Sequence, residues 1–120
     1  MNAFRTPLTL MFVALTGCLH GYGSVAALRA DAETVFRQHN QVSSELMLAL
    51  PGLDPQDPLS DALSEADRAM LAACEPLNEL AIAHREGQAI PAAQRRKLPG
   101  TIAGCREATA ATRVLLERLP

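Results

Sequence analysis

From Val25 onward, apolar and small residues recur in alternating steps of three and four, at positions 25, 28, 32, 35, 39, 42, 46 and 49. At 3.6 residues per turn this spacing draws one stripe along an amphipathic helix. His39 is the one strongly polar member of the stripe. Arg29, Asp31, Glu33, Arg37, Gln38, Asn40 and Gln41 fall mainly off it and supply a solvated face. Ser24 stands where an N-cap is needed and Pro51-Gly52 supplies a stop, so the pattern predicts a first helix over about residues 24–50.

The next segment, "PGLDPQDPLS", is rich in turn formers and offers Asp57 or Ser60 as a cap for a second helix. A second stripe then runs through Leu59, Leu63, Ala66, Met70, Ala73, Leu77, Leu80 and His84, predicting a helix over about residues 58–86 that Gly87 ends. Pro76 lies inside it and must remove one backbone hydrogen bond, which predicts a kink near residues 72–76 or, alternatively, a break there. In "IPAAQRRKLPG" a short helical turn can begin at Pro91 before Pro99-Gly100 interrupts it. A third helix is expected over about residues 101–119, with Ile102, Cys105, Thr109, Thr112, Leu116 and Leu119 on its seam and Ala108, Ala110 and Ala111 offering small surface. Runs of alternating β-branched residues are absent from the sequence. The expectation is an all-α domain over about residues 24–120, a small three-helix antiparallel bundle.

The start of the chain reads differently. "MNAFRTPLTLMFVALTGC" has one basic residue, Arg5, then an apolar stretch from about Leu8 to Leu15. A spanning helix needs about 20 apolar residues, so this segment fits a signal peptide better than a transmembrane anchor. An uncleaved short anchor or a buried N-terminal helix are the other readings. Leu15-Thr16-Gly17-Cys18 resembles the lipobox of bacterial lipoproteins: an aliphatic residue, a small or tolerated one, Gly or Ala, then an obligatory Cys. The resemblance covers the signal region alone and implies a class. In that class the peptide bond before the Cys is cut, its thiol receives a diacylglyceryl group with fatty chains such as palmitate, and the new N-terminus is usually acylated. It implies that residues 1–17 are removed and that Cys18 begins a lipid-anchored chain facing the periplasm. Leu19, where enteric members retained at the inner membrane carry Asp, leans the expectation toward the outer membrane. Residues 18–23, with two glycines in "HGYGS", would serve as a flexible tether.

Of the three cysteines, Cys74 and Cys105 remain. Their midpoint falls in the turn between the second and third helices, so an antiparallel hairpin sets them at about the same height. With Cys18 assigned to lipid and an oxidising compartment implied by the signal, a Cys74–Cys105 disulfide is the expected pairing. Two separate buried thiols are the other possibility, since the interruption at Pro99-Gly100 can shift the register.

Charge and composition then narrow the function classes. The net charge is −2 with a pI near 5.9, so no global positive field calls for nucleic acid. Aromatic residues are only 3% of the chain and Trp is absent, which leaves no stacking platform for bases or sugars. His84-Arg85-Glu86 matches the first element of a zinc-deaminase signature, but no Pro-Cys-x-x-Cys comes after it. There is no H-E-x-x-H or C-x-x-C, and no Glu three residues before a His. Ser24, Ser43, Ser44, Ser60 and Ser64 sit in no nucleophile-elbow pattern. No catalytic residue, metal site or cofactor is therefore expected.

The remaining class is interaction. Phe36 and His39 on the first stripe, and the compact cluster Arg95-Arg96-Lys97, are the candidate contact residues. His39 also reads as a core or interface residue with its polar atoms satisfied, and the basic cluster as a solvated turn or a contact for anionic headgroups or an acidic partner. The expected role is a membrane-anchored, non-catalytic interaction or structural component of the cell envelope, binding another envelope protein or itself. The alternative is a carrier of a small apolar or haem-like ligand, with His39 or His84 touching it in a cavity between helices.

Overall fold

The computed structural model describes residues 24–120, and among them the fold is all-α with no strand. Three helices occur in order: α1, Val25–Ala49; α2, Pro58–Arg85; and α3, Ala92–Leu116. A single 3-10 turn, Leu50–Gly52, closes α1 where Pro51 can no longer supply an N–H.

Each boundary has a local cause. The Ser24 hydroxyl accepts from the Ala27 N–H at 3.0 Å and caps α1. The Asp57 carboxylate does the same for α2, accepting from the Leu59 N–H at 2.9 Å, with Pro58 in the first helical position where its missing N–H costs nothing. At the far end of α2 the Gln88 N–H reaches the Ala83 carbonyl and the Gly87 N–H reaches the His84 carbonyl. That pair of bonds is a Schellman motif. It needs a left-handed residue after the helix, and Gly87 supplies it with φ at +70°.

Short connections make the helices run up, down and up, so α2 is antiparallel to both neighbours and α1 is parallel to α3. Their inward faces hold Val35, Val42 and Leu46 from α1, Leu63, Met70 and Leu77 from α2, and Ile102 and Leu116 from α3. Each such side chain contributes about 1.5–3 kcal/mol when withdrawn fully from water. These are positions of the three expected stripes. His84, the last position of the second stripe, is instead exposed, because the packed part of α2 ends at Leu77 and the half-buried Leu80.

The structure corrects the start of α3. The helix begins at Ala92 and runs without interruption through Pro99, where a start near Thr101 was expected. A proline inside a helix removes one bond, yet Leu98 and Pro99 are half-buried and Leu98 packs against the core. Packing of that turn outweighs the local preference. Pro76 is likewise carried inside a continuous α2, so the alternative of a break there does not occur.

Candidate functional site

The middle of the bundle is joined covalently. Cys74 of α2 and Cys105 of α3 form a disulfide, with their Cα atoms 4.6 Å apart and both side chains fully buried. One turn further along α3 the Thr109 hydroxyl lies 3.7 Å from the Cys74 sulfur. A further turn on, the Thr112 hydroxyl donates back to the Ala108 carbonyl at 2.9 Å and lies 3.4 Å from the Ala66 carbonyl of α2. Buried threonines are tolerated here because their hydroxyls find such partners.

His39 is the exception in this interior. It is 3% exposed, and its Nδ1 has no hydrogen-bond partner. One turn away on the same helix, the Ser43 hydroxyl is also buried without a partner. Burial pushes the His39 imidazole below its ordinary pKa, and the negative charge of Asp67 on α2 opposes that shift only in part. The ring is therefore held neutral in the core. As a candidate contact residue it is out of reach of a partner, whereas Phe36 beside it is half-buried.

The seam between α1 and α3 carries two cross-helix ion pairs, Arg106 with Asp31, and Arg113 with Glu45 at 3.7 Å. Both are partly solvated, which limits each to about 1 kcal/mol or less. An open groove of about 350 Å³ lies along this seam, lined by Gln38, Gln41, Arg106, Thr109, Ala110 and Arg113. A second, of about 220 Å³, runs between Pro76 and Leu80 of α2 and Leu98 of α3, with Glu79, Gln94, Lys97 and Thr101 completing its walls. Neither is lined by His39 or His84. Among the described residues, no three His, Cys, Asp or Glu side chains converge as a metal-ligand set, and no helix is long and apolar enough to cross a membrane.

The two ends of the bundle differ. At the end formed by the α2–α3 connection and the start of α1, Arg95, Arg96 and Lys97 are exposed on the first two turns of α3. At the other end Met47 and Leu48 are 76% and 85% exposed, adjacent on the last turns of α1. Sequence reasoning did not single out this apolar pair. Its signal was there: two large apolar residues between stripe positions 46 and 49, on the side that should be polar. Cys18, the expected lipidation site, and the tether lie outside the described residues.

These contents define a disulfide-clipped three-helix bundle with polarised ends. In comparisons with known protein families, curated proteins and solved structures, the chain matches none.

Proposed function

We propose that this chain is a lipid-anchored protein of the bacterial envelope, cut before Cys18, whose periplasm-facing bundle works as a non-catalytic interaction module. The observation that carries the interaction role is the adjacent exposure of Met47 and Leu48. Two large aliphatic side chains in water, at the end of the bundle remote from the N-terminal arm, are suited to being covered by another protein. The address is supported by the buried disulfide, a bond that persists in oxidising compartments. It uses both cysteines of the bundle and leaves Cys18 of the three for modification. Leu19 after the modified Cys favours the outer membrane.

Two measurements test the reading. Mass spectrometry of the protein from a native envelope is expected to show a diacylglyceryl-type mass on an N-terminal Cys18; an intact, unmodified N-terminus removes the address. A photoreactive residue at position 48 is expected to yield one specific adduct in membranes, with an envelope protein or a second copy of the chain. Met47→Ser should abolish that adduct without unfolding the bundle. Failure to form any specific adduct there overturns the interaction role.

A further inference from the structure

We propose that the tip formed by the α2–α3 connection rests on anionic phospholipid headgroups, so that the bundle stands on its basic end with Met47 and Leu48 held away from the bilayer. This rests on the lipid-anchor reading above, and four observations support it.

First, the up-down-up topology puts Ser24, where the N-terminal arm enters the bundle, at the same end as the α2–α3 connection. An anchor on that arm brings this end toward the membrane. Second, charge is segregated along the bundle. Residues 84–97 carry Arg85, Arg95, Arg96 and Lys97 against Glu86, and the start of α1 at the same end adds Arg29 against Asp31 and Glu33, which leaves this end net positive. The opposite end carries Glu45, Asp54, Asp57, Asp61, Glu65, Asp67 and Glu117 against Arg68, Arg113 and Arg118, and so remains net negative. A negative surface attracts the first end and repels the second. Third, the tip cations are not spent internally: all four are exposed, and none takes part in the ion pairs found among the described residues. Fourth, three of them occupy the first two turns of α3, the positive end of its dipole, and no acidic residue stands in the first turn to offset them. This arrangement works against the helix, and a local rule broken without internal compensation marks a position kept for something outside the fold.

The chain supplies its own probe, because Lys97 is its only lysine. Once the N-terminus is acylated, Lys97 carries the one amine left for an amine-reactive reagent. The full chain purified from membranes is placed in vesicles of phosphatidylcholine alone or mixed with phosphatidylglycerol, and the labelling rate of Lys97 is measured. On the anionic vesicles at low salt the rate should fall about tenfold, given the attraction each basic residue feels near such a surface. It should recover in 1 M salt, where the Debye length shrinks to about 3 Å. The exposed double variant Arg95→Glu, Arg96→Glu should lose the protection yet still float with both kinds of vesicle.

Equal labelling on the two vesicles, with the protein floating on both, overturns the tip contact and leaves the anchor standing. Protein that floats with neither sinks the anchor and the tip contact together. Protection seen in native membranes but absent on anionic vesicles assigns the tip to an acidic protein instead, and overturns the lipid contact.

Discussion

Replacing His39 by Leu should make the protein more stable, and by an amount that depends on pH. The imidazole is buried, its Nδ1 has no partner, and Leu is of similar volume. Removing an unsatisfied buried polar atom relieves about 1–3 kcal/mol. The pH dependence comes from the lowered pKa. The unfolded chain takes up a proton on this ring near the ordinary value of 6.5, while the folded chain holds it neutral to lower pH. Between those two values the unfolded state binds more protons, so stability is fully present above the unfolded pKa and is lost as pH falls through the window. From pH 7.5 to 5.5 the loss reaches at most about 1.4 kcal/mol for a ring that stays neutral when folded, and Asp67 reduces it by favouring the charged form. Urea denaturation of the two proteins at a series of pH values measures the difference. His20 and His84 are present in both and cancel. The gap between variant and parent should widen as pH falls. A gap that stays constant, or a variant less stable than the parent at pH 5.5, refutes the assignment of His39 as a buried neutral imidazole.

Other substitutions probe other parts of the fold. Removing the disulfide with Cys74→Ala and Cys105→Ala frees a loop with sequence separation 31. Chain entropy then sets the loss of stability at about 4 kcal/mol, read as a lower denaturation midpoint; an unchanged midpoint would mean that the bond constrains nothing. Gly87→Ala and Gly104→Ala should have opposite signs although neither new Cβ meets any atom within 4 Å. At Gly87 the left-handed backbone makes Ala cost about 1–2 kcal/mol, while within α3 Ala at 104 should add about 0.5–1 kcal/mol, both measured by thermal melts. Pro99→Ala restores an N–H inside α3 and should stabilise by up to about 3 kcal/mol, with slower amide exchange around Arg95 to Pro99 as its mark.

Most of the fold was legible because its determinants are periodic or local. The three-and-four spacing placed Val35, His39, Val42 and Leu46 on one buried face. Ser24, Asp57 and Gly87 announced their boundaries by chemistry that acts over a few residues. The disulfide was legible from the height of its cysteines in the hairpin, even though α3 begins earlier than expected. That early start was hidden because Pro99-Gly100 is a local stop signal. The packing of Leu98 against other helices overrides it, and no window of sequence contains that packing. The same reason concealed that His39 lacks a partner: its spacing showed that it faced inward, but not what met it there. The candidate contact residues divided accordingly. Arg95, Arg96 and Lys97 are exposed because nothing packs over a run of three cations, and His39 is lost to the core.

The clip between α2 and α3 also decides how the molecule answers tension. A pull between the two ends of the chain passes from Cys74 to Cys105 through the sulfur bridge and bypasses the thirty residues between them. Those residues would otherwise yield about 100 Å of extension when drawn out. The pull instead falls on α1, on α2 before Cys74 and on α3 after Cys105, and of the three helices α1 alone has no covalent tie to its neighbours beyond the chain itself. Under strain α1 should peel away first, while the α2–α3 tip closed by the bridge stays out of the extending path and keeps its shape.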